Sequence, residues 1–224
     1  MLSKVDADFL LSIDTPTVCN IVEMVYPERR GFGYTTKHLH CAFPDLPQMI
    51  GYAKTVTIRS KDPIPRGEGY MSKRMEYLDY IASAPTPSWV VIQDLDDPAG
   101  YGAYWGEVQS NVHKALGCVG TITNGCVRDI PMIASGFQML AGSFAPSHAF
   151  VHAVDFGCEV TVHGMAVKSG DLIHADRHGA IVVPTDKMDA LKKALADITA
   201  KEAKIIEAAK SGKGVEAIKA AIRG

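Results

Sequence analysis

Several features are missing from this chain, and each absence removes a class of function. No apolar run approaches the roughly 20 residues needed to span a bilayer. The first residues show no basic segment leading into an apolar core, so neither a membrane span nor a signal peptide is expected. Charge of a single sign is missing too. With 23 basic and 25 acidic residues and a formal net charge of −2, nothing electrostatic favours a nucleic-acid or membrane partner. Cysteine is sparse: Cys19, Cys41, Cys118, Cys126 and Cys158 are far apart, without a Cys-x-x-Cys pair. Reduced, buried thiols in a reducing, cytoplasmic compartment are expected. No Gly-x-Gly-x-x-Gly follows a strand pattern, and there is no Walker-A loop or Gly-x-Ser-x-Gly elbow. That leaves no dinucleotide, S-adenosylmethionine, nucleotide or serine-hydrolase fingerprint. Lysines such as Lys54 and Lys168 sit in no imine-forming pocket motif.

What is present is an ordinary globular composition, 47% hydrophobic and 21% charged over 224 residues, enough for one domain with a sizeable core. Asp14, Thr15 and Pro16 look like a helix start, with Val18, Ile21, Val22 and Val25 along one face and Pro27 at the end. The β-branched stretches 55–58 and 89–92 read as strands, 61–69 as a loop, 70–84 as a helix stopped by Pro85, and 94–102 as a turn-rich connection. Residues 107–116 predict an amphipathic helix ended by Gly117, then a strand over 118–123, a turn at Asn124-Gly125, and a short helix over 130–135 closed by Gly136. Further strands are expected near 137–141, 158–163, 171–175 and 180–183, and a helical tail over about 186–224, broken at 211–214. Alternating helices and strands predict a layered α/β fold, a single domain over residues 1–224.

The chemistry concentrates in 102–129. Gly106, Glu107 and Val108 open a helix whose free N–H groups suit an anion. A buried strand then ends by presenting Arg128 and Asp129. A carboxylate at a strand end suits a hard divalent ion, which takes one or two carboxylates and keeps most of its waters. On local pattern alone, plainer readings stand beside these: Asp129 as the N-cap of the short helix, Arg128 as a surface or ion-paired arginine, Glu107 as a first-turn acid. His148 and His152 would share a face if helical and so raise a zinc site. Yet nothing helical leads into them, and 149–154 reads equally as extended.

The order of these features resembles the class II pyruvate aldolases that cleave 4-hydroxy-4-methyl-2-oxoglutarate and 4-carboxy-4-hydroxy-2-oxoadipate. The same fold family contains the non-catalytic regulators of ribonuclease activity, and some members have long been labelled demethylmenaquinone methyltransferases. The likeness spans about 14–184 and rests on Gly106-Glu107, GCVGTITNGCVRD at 117–129, Gly136-Phe137 and GDLIHADRHGAIVVP at 170–184. It implies a swivelling-domain-like layered α/β fold, phosphohistidine-domain-like, assembled as homotrimers or hexamers with sites between subunits. It implies that Asp129 binds Mg²⁺ or Mn²⁺ and that Arg128 is catalytic, its guanidinium holding a developing enolate oxygen. Glu107 would be the second catalytic group, handling a proton or meeting the metal through water. Gly106, Glu107, Val108 and Arg128 would bind substrate, the helix-start N–H groups taking its 1-carboxylate.

Two residues depart from the family pattern. Glu107 stands where Asp is frequent, one methylene longer. Asn124 replaces the usual Asp before Gly125, which makes the metal site less acidic by one unit if that Asp acts near it. The regulators typically carry a non-acidic residue at the place of Asp129, so the acidic pair Glu107 and Asp129 points to an enzyme. The expectation is a divalent-metal-dependent lyase that cleaves or decarboxylates a small 2-oxo acid through a pyruvate enolate, with oxaloacetate decarboxylation as a side activity. The alternative is a protein-binding regulator on the same fold. Asp176 and Gly179 read as turn formers between two strands; the other reading gives Asp176, Arg177 or His178 to a neighbouring subunit's site. Residues 60–70 and 101–105, which follow no family pattern, are the expected seat of substrate selectivity.

Overall fold

The computed structural model describes residues 1–64 and 70–223. The loop expected over 61–69 therefore lies in part, at 65–69, outside the described residues. Two short helices open the chain. In α1 (Lys4–Leu11), Ser3 caps the start by accepting the Asp6 N–H at 3.1 Å. In α2 (Thr15–Val25), Asp14 accepts the Thr17 N–H at 2.9 Å, and Val18, Ile21 and Val22 are buried along one face as their spacing predicts. A 3-10 turn, Pro27–Gly31, follows. Then come β1 (His40–Cys41), β2 (Met49–Arg59), α3 (Tyr70–Ala82), β3 (Ser88–Asp94), α4 (Glu107–Ala115), β4 (Cys118–Val127) and β5 (Gln138–Phe144). The chain continues through β6 (His152–Phe156), β7 (Val160–Val162), β8 (Met165–Val167), β9 (Leu172–Asp176), β10 (Gly179–Val182), α5 (Met188–Lys210) and α6 (Val215–Arg223).

The main sheet runs β1-β5-β4-β3-β2-β9-β10. Its centre, β2 to β5, is parallel, so Arg59, Asp94, Val127 and Phe144 end their strands on one side. Antiparallel β9 takes the first half of the outer edge of β2, and β6 takes the second half. β7 and β8 form a separate hairpin. The central strands are buried on both faces, and Trp89, Val90, Val91 and Ile92 are fully enclosed. One apolar cluster joins Trp89 and Ile122 to Val162 and Met165 of the hairpin; a second joins Tyr77 and Ile81 of α3 to Trp105 and Phe137. The third joins Leu10, Ile21 and Leu191 of α1, α2 and α5 to Ile181. Burying one such side chain contributes about 1.5–3 kcal/mol. The architecture is the swivelling-domain-like layered α/β fold.

Several local expectations need correction. Asn124-Gly125 is not a turn: neither residue has positive φ, and β4 runs through them with a register slip against β5 between Thr123 and Cys126. Asn124 explains why. Its Oδ1 accepts the Asp94 N–H at 2.8 Å and its Nδ2 donates to the Asp94 carbonyl at 3.0 Å, so the side chain stands in for a neighbouring strand. Residues 130–135 yield only a 3-10 turn, Ile130–Met132. The strand expected at 158–163 becomes a hairpin, turned at His163 and Gly164. α1, β1 and β6 are additional elements. His152 lies on β6 and His148 outside any helix, and each donates Nδ1–H to a nearby carbonyl, so they share no helical face. All five cysteines are free. Burial pushes Cys118 up to about 12 and Cys19 and Cys126 up to about 11, which keeps them as thiols at neutral pH.

Candidate functional site

Asp129 stands two residues past the end of β4, with a left-handed main chain (φ 57°, ψ 33°). Among non-glycine residues, Asp and Asn tolerate this conformation best. It turns the carboxylate away from the following 3-10 turn, which receives no side-chain cap, so the N-cap reading fails. The side chain points back at the start of α4 instead. Its Oδ2 accepts the Glu107 N–H at 3.4 Å and lies 3.6 Å from Arg128 Nε. Both contacts are long. The side chains of Asp129 and Arg128 are 28% and 34% exposed, so the carboxylate is half-buried and keeps lone pairs free for a ligand.

Gly106 makes this approach sterically possible. A Cβ there would sit 2.5 Å from Asp129 Oδ2 and 3.4 Å from Arg128 Cγ. The lead into α4 is also stitched to the end of β4: the Arg128 N–H donates to the Trp105 carbonyl at 3.0 Å, and Trp105 bridges Val127. Glu107, exposed, opens α4, and its carbonyl accepts Ser110 Oγ and Asn111 Nδ2, both at 2.8 Å. The structure thus brings Gly106, Glu107, Arg128 and Asp129 together at the carboxyl ends of the parallel strands, the side on which open α/β sheets bind ligands. Val108 follows Glu107 on α4 and is 71% exposed.

Two further acids at this end escaped the sequence reading. Asp94, almost fully buried, accepts the Gly100 and Asp96 N–H groups at 2.8 and 3.0 Å; burial raises its pKa against these bonds. Asp96 accepts the Ser60 N–H at 2.6 Å, Ser60 Oγ at 3.1 Å and the Lys61 N–H at 2.9 Å, and pairs with Arg59 at 3.2 Å. Burial alone would raise Asp96, but these donors prevail and its pKa is lowered. Ser60 in turn accepts the Gly102 N–H with Oγ and the Phe150 N–H with its carbonyl, each at 3.0 Å. Both carboxylates are engaged by donors, so they brace loops beside the site. The only forewarning was an acid-rich run between a strand and two glycines.

Asp176 and Gly179 are the turn formers they resembled, ending β9 and starting β10. Asp176 accepts the Thr15 N–H at 2.8 Å, the His178 N–H at 2.7 Å and His178 Nδ1 at 3.0 Å, and Arg177 donates to the Pro44 carbonyl. Because β9 pairs Ala175 with Met49 at the amino end of β2, this group lies across the sheet from Asp129 within one chain. An apolar cleft of about 120 Å³, lined by Leu2, Ile50, Tyr52 and Leu172 among others, also holds none of the candidate residues.

Among the described residues, no three His, Cys, Asp or Glu side chains gather into a metal cage. A hard divalent ion needs none, because one carboxylate and several waters suffice. The uncapped, half-buried Asp129 carboxylate fits that donor set.

A strand-end carboxylate and arginine thus face the start of α4 on a swivelling-type α/β layer. The chain belongs to the RraA-like family, described as Aldolase/RraA, which matches residues 15–182. That family includes both lyases and non-catalytic ribonuclease regulators. The chain is similar to Protein DlpA of Legionella pneumophila, 26% identical over 149 residues, which are 62% of this chain and 23% of that protein. It is also similar to the uncharacterized protein MJ0644 of Methanocaldococcus jannaschii, 31% identical over 107 residues, 47% of this chain and 51% of that one. The matches thus span about a quarter and about half of those relatives' lengths. Among solved structures, Streptomyces coelicolor RraAS2, an unusual member of the RNase ES inhibitor RraA protein family, superposes with a TM-score of 0.68 at 18% identity. That superposition covers 90% of this chain and 96% of that one, a likeness of fold. Among the described residues, no helix is long and apolar enough to cross a membrane.

Proposed function

We propose that this chain is a divalent-metal-dependent lyase that cleaves, by retro-aldol reaction, or decarboxylates a small 2-oxo acid. The observation that carries the reading is the Asp129 carboxylate, released from its own turn by a left-handed main chain and aimed at the start of α4. Asp129, with waters, would hold Mg²⁺ or Mn²⁺, and the bound ion would supply Lewis-acid polarisation of the 2-oxo group. The chain's own groups divide the remaining tasks. The helix-start N–H of Val108, beside the Glu107 N–H that holds Asp129, would receive the substrate's 1-carboxylate together with Arg128. The Glu107 carboxylate, through a water, would take the C4-hydroxyl proton. As the C3–C4 bond breaks, its electron pair passes into a pyruvate enolate, and Arg128 sets fixed positive charge beside the enolate oxygen. In oxaloacetate, loss of carbon dioxide leaves the same enolate. The proposal extends to a homotrimer or hexamer in the cytoplasm, with no nucleic-acid or membrane partner.

The test is pyruvate release from oxaloacetate and from 4-hydroxy-4-methyl-2-oxoglutarate, with Mg²⁺ or Mn²⁺ and then with EDTA, beside Asp129→Ala. Metal-dependent turnover that the variant loses supports the lyase. A folded chain that neither binds the ions nor releases pyruvate sinks it and favours a protein-binding regulator.

A further inference from the structure

Ser110 is fully buried on the first turns of α4. A serine inside a helix gains nothing from its hydroxyl by itself, because a bond back to a carbonyl one turn earlier leaves the helix neutral or slightly weaker. Here the hydroxyl is used twice. It donates to the Glu107 carbonyl at 2.8 Å and accepts the Ala134 N–H at 3.1 Å. Its main-chain N–H donates to the Gly106 carbonyl at 3.0 Å. Ala134 lies on the segment that leaves Asp129, and that segment is itself closed by the Met132 N–H donating to the Asp129 carbonyl at 2.8 Å. The Glu107 N–H then returns to Asp129 Oδ2. A closed circuit therefore runs from Asp129 through the 3-10 turn to Ala134, through the Ser110 hydroxyl to Glu107, and back to Asp129. Only the two bonds at the Ser110 hydroxyl are in series and polarise one another; the covalent chain closes the rest of the circuit.

We propose that Ser110 is a positioning residue: its hydroxyl fixes the start of α4 against the 129–134 segment and so sets the separation of Glu107 and Asp129. This rests on the lyase reading for its effect on turnover, but not for its effect on the circuit. Two measurements keep them apart. Amide hydrogen exchange compares the chain with Ser110→Ala and Ser110→Thr, and Mn²⁺ affinity is followed by the electron paramagnetic resonance of the free ion, alongside kcat and KM for oxaloacetate. In Ser110→Ala, the bonded amides of Glu107 and Ser110 and those of Met132 and Ala134 should both exchange faster while the sheet keeps its protection. Mn²⁺ affinity or kcat should fall about 10–100-fold, the range seen when the partner of a metal-site residue is removed. Ser110→Thr, which keeps the oxygen, should restore both. Should the threonine methyl prevent folding, Ser110→Cys, a poor acceptor of similar size, takes its place and should fall between serine and alanine. Unchanged exchange in both segments, or loss in one only, overturns the proposal. So does wild-type Mn²⁺ affinity and kcat in Ser110→Ala when the parent chain is active. If the parent chain binds no Mn²⁺ and releases no pyruvate, the lyase reading fails while the exchange result still decides the role of Ser110.

Discussion

Glu107 and Asp129 are 22 residues apart in the chain and meet as a main-chain donor and a carboxylate, N–H to Oδ2, at 3.4 Å. The contact joins the positive end of a helix to the one acid whose local capping job the main-chain geometry has removed. At that length the bond guides the carboxylate without consuming it, which is what a group awaiting a cation requires.

Gly106 controls this contact, and Gly106→Ala is the sharpest test of it. The glycine φ of −163° is extended backbone open to any residue, so the substitution costs nothing in conformation. Its added methyl, however, would lie 2.5 Å from Asp129 Oδ2. The carboxylate must rotate away or the helix start must shift. We expect a stability loss of about 1–3 kcal/mol, as for other overpacked sites. Mn²⁺ affinity should fall much more than stability does. Calorimetric titration with Mn²⁺ beside urea unfolding reads both, and an alanine variant with unchanged Mn²⁺ affinity would count against Asp129 as the ligand.

Asn124→Asp reverses one departure from the family pattern and tests what that residue does here. The amide satisfies both main-chain groups of Asp94, one by accepting and one by donating. A carboxylate keeps the acceptor and loses the donor, leaving the Asp94 carbonyl facing negative charge. Stability should drop by about 1–3 kcal/mol at neutral pH, the cost of an unsatisfied half-buried group. Urea unfolding at constant m would show it. An unchanged midpoint would mean that the Asn124 bonds contribute nothing.

How much of this was legible follows from how local each signal is. α2 announces itself by cap, proline and apolar spacing within a dozen residues, and the structure keeps it nearly as read. α4 keeps its bounds, but it buries Ser110 and His113 and leaves Val108 exposed, so its apolar spacing did not mark the packed face. The adjacency of Arg128 and Asp129 is written in the chain; the need for a glycine before Glu107 is not, because the contact that requires it comes from Asp129 on another element. Asn124-Gly125 misled because its turn preference is local, whereas Asp94, 30 residues earlier, decides its conformation. β1 is two residues long and exists only through pairing with β5, about 100 residues further on. Asp94 and Asp96 were invisible as braces because their donors are largely main-chain groups, those of Asp94 in its own loop and those of Asp96 some 35 residues earlier, and no side-chain pattern records them.

Asp96→Ala removes such a brace without touching the candidate residues. Three donors from Ser60 and Lys61 lose their acceptor, those of Ser60 in a buried place, and the half-exposed Arg59 guanidinium loses its partner. A loss of about 1–3 kcal/mol is expected, the cost of leaving buried donors unsatisfied. Hydrogen exchange should quicken at Ser60 and Lys61, and a midpoint within error of the parent chain would refute the brace.

His113 should weaken the fold as the pH falls. It is fully buried, donates Nδ1–H to the Gln109 carbonyl at 2.7 Å and accepts the Tyr77 hydroxyl at Nε2, also at 2.7 Å. Trp105 packs edge-on against the ring with centroids 4.7 Å apart. Both ring nitrogens are thus committed to the neutral form, and burial lowers the pKa from 6.5 to about 4. A base with a depressed pKa binds fewer protons folded than unfolded between those values. Its stability contribution is complete above about pH 6.5 and drains away as the pH falls towards 4, about 3 kcal/mol in all. His174 and His163, also lowered by burial, act in the same direction. Unfolding by urea across pH 7 to 4.5 should therefore show steadily falling stability. His113→Gln should start less stable at pH 7, because Tyr77 and Trp105 lose a fitted partner, yet fall less steeply by close to one proton. The gap between variant and parent should narrow as the pH drops. Parallel profiles would mean that His113 takes up its proton in the folded chain as readily as in the unfolded one, and the buried Tyr77–His113 pair would no longer explain the acid sensitivity.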